Sequence, residues 1–523
     1  MKWYQQGAFY HIYPLGLTGA PLQNEGGDPV PRLRQLWPWV AHIQKMGFRG
    51  LYIGPLFESV GHGYETTDYR QLDRRLGTNE DLKDFVAHCH SLGLRVIFDA
   101  VFNHTGREFF AFRDLLAHRE GSAYRDWYRG VDFSGDNGYH DGLRYETWGG
   151  YELLAKLNLQ NPAVRQYHLD TVRFWVEEFD VDGLRLDAAD VLDFGFLQQL
   201  RSFTETLKPD FWLMGEVIHG EYIRWIRDAG LHSVTNYRLH KALYSAHNDH
   251  NYFELAHTIG QLGPLSDQLY NFADNHDVER IQTRLRCKAD FFPVHVLLFT
   301  LPGIPSVYSG SEFAIEGRKE RGSDASLRPA LSLEALPACP QQALIARLVE
   351  LYRTHPVMQA GEYRQLQLTT TVYAFARQLG DAELLVAANN GERPAELWLD
   401  ARLPAYAAPL TGERFAAQDG KVALTVQPHS AVLLLPETEN EPQSYEAIPA
   451  IAYQAPAAAG PAAQPAVPAP PAGKSIDEMD VGELQSYILA RMAANGPLTD
   501  CMRREVDDNR HLGSLRNWAR SFR

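Results

Sequence analysis

Eight short apolar runs, separated by longer amphipathic stretches, fill about the first 350 of the 523 residues. The runs fall at 9–13, 50–56, 95–102, 183–187, 211–217, 233–237, 269–274 and 305–308. Short apolar runs alternating with helical patterns are the mark of βα units, and eight such units predict a closed (β/α)8 barrel. The intervening signals are specific. Thr78-Asn79-Glu80-Asp81 is a cap with an acid three residues on, and Leu82, Phe85, Val86 and Cys89 follow at helical spacing. The stretches 164–178 and 343–352 carry the same periodicity.

One connection is too long for a plain barrel. Residues 105–160, rich in Tyr, Trp, Asp and Gly, separate the third strand from the next helix and predict an inserted domain. The barrel is then assigned to 1–104 and 161–356. Beyond it, Thr371-Val372-Tyr373-Ala374-Phe375 alternates and Asp419-Gly420 sits between two strand-like runs, so 357–436 is expected to be an antiparallel β-sandwich domain. From Ala455 to Lys474 the chain is nearly all Ala and Pro, which cannot build a core, and 437–474 is expected to be a linker. Ser475-Ile476-Asp477-Glu478, followed by Leu484, Ile488 and Met492, predicts a small helical module over 475–523.

A formal charge of −15 disfavours a nucleic-acid partner and is neutral toward an uncharged substrate. No run is long enough to span a membrane and no export signal is visible, so a cytoplasmic location is expected. Cys89, Cys287, Cys339 and Cys501 form no CxxC pair, so spacing suggests neither a disulfide framework nor a zinc site.

In such a barrel the chemistry sits where strands end. The third strand ends in Asp99-Ala100-Val101-Phe102-Asn103-His104, the fourth carries Arg185 and Asp187, the fifth ends at Gly215-Glu216, and the seventh at Asp274-Asn275-His276-Asp277. Cleavage of a glycosidic bond needs this set. One carboxylate attacks the anomeric carbon, a second, kept protonated, gives its proton to the leaving oxygen, and further negative charge steadies an oxocarbenium-like transition state. Crowded carboxylates hold one proton near neutral pH, and an arginine keeps the nucleophile ionised and oriented. Taken singly, an Asp at a strand end is more often a helix cap, a Glu a salt-bridge partner and a His a structural residue. Asp99 is expected to hold the mouth together by hydrogen bonds. The ordered recurrence on successive strands carries the reading.

These segments resemble the four motif regions of the α-amylase superfamily, glycoside hydrolase family 13. The resemblance places Asp187 as nucleophile with Arg185 two residues before it, Glu216 as general acid/base and Asp277 as third carboxylate. It further implies that Tyr64 stacks under the sugar at the cleavage point, that His104 and His276 hydrogen-bond that sugar, and that Asp324 and Arg328 contact the next sugar toward the non-reducing end. No cofactor is required for this chemistry. Asn103 matches a calcium-ligand position, but one Asn is not a metal site, so the metal is left open.

Leu154-Ala155-Lys156-Leu157-Asn158 resembles the fifth region of neopullulanases and cyclomaltodextrinases. Their N-terminal β domain has no counterpart before the barrel here, so that mode of dimerisation is not expected. The residues after Asp187, Ala188-Ala189-Asp190-Val191, differ from those of either α-amylases or neopullulanases. The function expected is a retaining α-glycosidase hydrolysing maltooligosaccharides, cyclodextrins or related α-glucans, with transglycosylation where a sugar hydroxyl replaces water. The alternatives are a 4-α-glucanotransferase or a sucrose- or trehalose-directed enzyme and, remotely, a non-catalytic amylase-like protein. For 475–523, self-association or an acidic protein partner met by Arg503, Arg504, Arg510, Arg516, Arg520 and Arg523 is set against a solvated helix face.

Overall fold

The computed structural model describes residues 1–437, 445–451, 453, 475–495, 506–507 and 512–520. It divides into two compact units, Met1–Tyr453 and Gln454–Arg523. In the first, eight parallel strands close into a barrel: β1 (Phe9–Ile12), β2 (Gly50–Ile53), β3 (Arg95–Ala100), β4 (Gly183–Leu186), β5 (Trp212–Gly215), β6 (Ser233–Thr235), β7 (Leu269–Phe272) and β8 (Ile304–Tyr308). Each strand pairs with its sequence neighbours, and β1 closes on β8 through Phe9↔Ser306 to His11↔Tyr308. All eight expected strands are present; seven end one to three residues before their apolar runs, and β8 ends with its run at Tyr308.

Strand alternation decides what enters the barrel. Leu184 and Leu186 of β4 face outward into the core shared with the helices, while Arg185 between them faces in. Phe9, Tyr52, Ile97, Trp212, Met214, Tyr270, Phe272 and Ile304 fill the interior, and Tyr4 stacks on Trp212 at 5.2 Å. Gly183 has no room for a side chain, since a Cβ there would lie 2.5 Å from the Trp212 carbonyl oxygen. The helix Asn79–Ser91 starts as its sequence says: Thr78 accepts from the Asp81 amide and Asp81 reaches back to Thr78, a motif whose loss typically costs about 1 kcal/mol.

Two excursions build the mouth. Between β3 and β4, His104–Thr105, Thr147–Trp148 and Tyr151–Lys156 form a small antiparallel sheet beside the helix Phe110–His118. After β2 comes a hairpin, Phe57–Ser59 with Thr66–Leu72, that the apolar pattern did not signal; its connecting turn carries Tyr64. The β domain that follows the barrel is a six-stranded sheet plus the pair Ala395–Asp400 and Lys421–Val426. Asp419 and Gly420 both adopt positive φ, as a tight hairpin turn requires. The domain docks on the barrel through a continuous apolar core that includes Tyr373 and Phe375, and through the Arg377 guanidinium on the Thr300 carbonyl.

Of the stretch expected to be a linker, 438–444, 452 and 454–474 lie outside the described residues. Tyr445, Ile448 and Ile451 pack on the first unit, and the Ile448 amide donates to Leu410, so the first unit extends past its last strand. In the second unit, the turn Ile476–Glu478, opened by a Ser475–Glu478 capping box, and the helices Val481–Asn495 and Leu512–Arg520 enclose Met479, Leu484, Ile488, Val506, Leu515 and Ala519. Arg516 and Arg520 are tied to Asp477, whereas Arg503, Arg504, Arg510 and Arg523 lie outside the described residues. Among the described residues no helix is long and apolar enough to cross a membrane.

Candidate active site

Arg185 is the hub of the barrel mouth. Its side chain is buried, and its Nη1 lies 2.8 Å from Asp99 Oδ1 and 2.9 Å from Asp187 Oδ1, while Nη2 lies 2.8 Å from Glu216 Oε1. One guanidinium thus gathers carboxylates from the ends of β3, β4 and β5. Burying ions costs several kcal/mol each unless they are paired and hydrogen-bonded, and this arrangement pairs three acids with one base. Burial pushes the Asp187 carboxyl far above the ordinary range and raises Glu216 as well; Arg185 opposes the shift in both, and the neighbouring acids reinforce it. Both carboxylates contact Arg185, and crowding among the buried acids favours keeping a proton in the group.

Glu216 is held on both oxygens. Ala188, whose backbone is left-handed at φ 46°, turns its amide onto Oε2 at 3.0 Å. The Tyr237 hydroxyl donates to Oε1 at 3.1 Å, and Asn275 Nδ2 donates to that hydroxyl at 3.2 Å. A non-glycine residue in the left-handed region is a strained element of the kind that collects at functional sites.

The rest of the network runs across the mouth. Tyr52 and Tyr64 both donate to Asp99 Oδ2 at 2.9 Å. Tyr64's one proton is thereby committed, so its oxygen accepts from His276 Nε2 at 2.5 Å, and His276 is the Nε2–H tautomer. Burial, with Arg328 and Arg185 nearby, keeps that imidazole neutral. The same Nε2 lies 3.0 Å from Asp277 Oδ2. Arg328 Nη2 pairs with Asp277 Oδ1 at 2.7 Å and with Asp324 Oδ2 at 3.3 Å. Lys319, at the rim, donates to the Asp277 carbonyl and pairs with Asp324. Beneath lies a small hollow of about 20 Å³ bordered by His11, Glu216, Tyr237, Tyr270 and His276; His11 Nε2, Tyr270 OH and His276 Nδ1 are buried without a protein partner.

All nine residues singled out from the sequence (Asp187, Glu216, Asp277, Tyr64, His104, Arg185, His276, Asp324 and Arg328) lie in this one connected network. They differ in accessibility. The Asp277 side chain is 32% exposed and opens to solvent, Asp187 11%, Glu216 9%. His104 is buried with Nδ1 on the Asn103 side chain and Nε2 donating to the Tyr64 carbonyl, so both ring nitrogens are engaged within the protein. Tyr52, Tyr237 and Lys319 join the network with no motif of their own to mark them; Tyr237 could have been sought as the polar residue closing the sixth apolar run. Trp148 of the inserted sheet lies against His104, ring centroids 5.9 Å apart, and exposes its face beside Tyr151.

The residues do not fit calcium at Asn103. Its side-chain nitrogen faces His104, its carbonyl accepts from Leu157, and among the described residues no cluster of carboxylates gathers around it to supply the oxygen-rich shell that calcium takes.

A closed barrel whose strand ends bring acids together on one arginine has the make-up of a glycoside hydrolase. Residues 38–335 match the alpha-amylase catalytic domain, and the chain belongs to that family. It is 29% identical over 468 residues to a cyclomaltodextrinase of Geobacillus thermopakistaniensis (strain MAS1), covering 83% of this chain and 78% of that one. It is 29% identical over 471 residues to neopullulanase 2 of Thermoactinomyces vulgaris, with the same coverage. Among solved structures, the native debranching enzyme of Nostoc punctiforme superposes with a TM-score of 0.71 at 26% identity, covering 83% of this chain and 99% of that one.

Proposed function

We propose that the chain is a retaining α-glycosidase that hydrolyses maltooligosaccharides or cyclodextrins by double displacement. Glu216 gives its proton to the glycosidic oxygen as the Asp187 carboxylate attacks the anomeric carbon. The C–O bond breaks, the leaving sugar takes the proton, and a covalent glycosyl-enzyme forms. Asp277 lowers the energy of the positive charge on the ring during both steps. Glu216, now a carboxylate, takes a proton from water as the water oxygen attacks the anomeric carbon and releases Asp187. Tyr64 provides the platform under that sugar, His276 and Arg328 orient Asp277, and Asp324 lies toward the neighbouring sugar.

The observation that carries this reading is the shared guanidinium. Asp187 and Glu216 each contact Arg185, which brings both carboxylates to one mouth, as a mechanism using an acid and a nucleophile on one sugar requires. The names of the relatives, a cyclomaltodextrinase and a neopullulanase, support α-glucans as the substrate class. The test is product analysis on maltotriose, cyclodextrin, pullulan and sucrose, with the anomer first released read by NMR. The expected result is cleavage of maltotriose or cyclodextrin with α-anomer formed first. First release of the β-anomer, or turnover of sucrose alone, overturns the reading.

A further inference from the structure

Cys287 and Asp290 flank the turn Lys288–Asp290 that leads into the barrel helix Phe291–Thr300, while His429 lies in the turn between Lys421–Val426 and Ser430–Pro436 of the β domain. One ligand atom from each of these three residues lies within 4.8 Å of the others, and Asp290 Oδ1 is 2.8 Å from His429 Nδ1. The Asp290 and His429 side chains are each 1% exposed, and Cys287 is half-buried. No element of the catalytic network is shared.

We propose that Cys287, Asp290 and His429 form a binding site for a divalent transition-metal ion, best suited to zinc, that cross-links the barrel to the β domain. Two further observations point to a ligand there. Asp290 Oδ2 is buried with no hydrogen-bond partner; an orphan carboxylate oxygen in the interior is costly, and a cation satisfies it. His429 Nε2 lies 3.4 Å from Glu392 Oε1. A carboxylate on the far nitrogen is what metal-bound histidines habitually have, because it fixes the tautomer and turns the other lone pair to the metal.

The donor set selects the ion. Thiolate, imidazole and carboxylate together suit zinc and exclude the oxygen-only shells of calcium and magnesium. Zinc bonds of about 2.0–2.3 Å place ligand atoms about 3–4 Å apart, which this cluster reaches with small side-chain movements, and the fourth tetrahedral position is left for water. Binding displaces the Cys287 thiol proton and any proton on His429 Nδ1. Sequence spacing could not disclose the site, because His429 lies far down the chain from Cys287 and the two meet only after the β domain docks.

The experiment uses the full chain, loaded with zinc and dialysed into zinc-free buffer, with metal counted by plasma mass spectrometry. About one zinc per chain is expected, falling at least about tenfold in both Cys287→Ser and His429→Gln. Cobalt exchanged into the wild-type chain should give a sulfur-to-metal charge-transfer band in the near ultraviolet. Absence of bound zinc in the wild type, or zinc at the wild-type level in either variant, overturns the proposal. Should the variants not fold, the wild-type cobalt spectrum decides, and the lack of a thiolate band sinks the site. None of these readouts involves glycoside cleavage, so the outcome is independent of the catalytic reading.

Discussion

The molecule holds two buried ionic clusters that solve the same problem differently. At the barrel mouth, Asp99, Asp187 and Glu216 converge on Arg185 alone, so acids outnumber bases and the Asp187 and Glu216 carboxyls are pushed above their ordinary range. At the domain junction, His429 sits between Asp290 and Glu392, and Asp290 and His429 are sealed from solvent. The mouth keeps excess negative charge where a ligand can reach it. The junction seals Asp290 and His429 in the packing between two domains, with Asp290 Oδ2 left unpaired by the protein. The first arrangement is poor for stability and useful for stabilising a cationic transition state; the second joins the barrel to the β domain.

Removing one acid from each should therefore have opposite consequences. Asp187→Asn is expected to lower kcat on maltotriose by about 10⁴-fold or more. The same change relieves crowding among buried acids, so the melting temperature should hold or rise. Undiminished turnover would remove Asp187 from the mechanism, and a large drop in melting temperature would show the mouth to be built for stability after all. At the junction, Asp290→Ala strips His429 of its buried carboxylate partner and leaves the exposed Glu392, and breaking a buried pair costs about 3–5 kcal/mol. Denaturant unfolding should show that loss while kcat of the folded fraction stays within about twofold. A neutral effect on stability would mean that the junction cluster is not a fastener.

Tyr237 tests the mouth more gently. Its hydroxyl donates to Glu216 Oε1, and such a donor favours the ionised carboxyl. Tyr237→Phe should move the alkaline limb of the kcat/KM profile to higher pH, because Glu216 then keeps its proton longer. The loss of orientation should lower kcat by about tenfold. An unmoved limb would place the Tyr237 contact outside the catalytic cycle.

The two clusters also differ in how far the sequence discloses them. Asp187 and Glu216 each directly follow a strand and Asp277 lies in the loop just after β7, so a local pattern of apolar residues followed by acids marks them, and the barrel brings strand ends together. Arg185 was legible from alternation within β4. The hairpin that carries Tyr64 was not, because Thr66–Leu72 mixes polar and apolar residues and is irregularly paired. Tyr52 was missed because a tyrosine inside an apolar run reads as core; only the inward pleat of β2 turns its hydroxyl onto Asp99. Residues 445–451 were read as linker on composition, yet Tyr445, Ile448 and Ile451 find apolar surface that no local pattern shows. Closeness dictated by a strand end is written locally, whereas closeness created by docking one domain on another is not.

The smallest effect is expected from the second unit. It has its own core, built from Met479, Leu484, Ile488, Leu515 and Ala519, and all nine candidate site residues lie in Met1–Tyr453. Truncation after Tyr453, rather than after the last strand at Pro436, retains the Ile448 amide bond to Leu410 and the packing of Tyr453 on His429. The truncated chain should then keep kcat and KM within about twofold on a short soluble substrate, where differences below 0.5 kcal/mol are expected from remote changes. Cutting at Pro436 should instead lower the melting temperature, because Ile448 and Ile451 leave the first core and the His429 ring loses its cover. If the chain cut after Tyr453 loses activity on maltotriose, the second unit takes part in catalysis and the division between a mouth that acts and packing that holds no longer describes this chain.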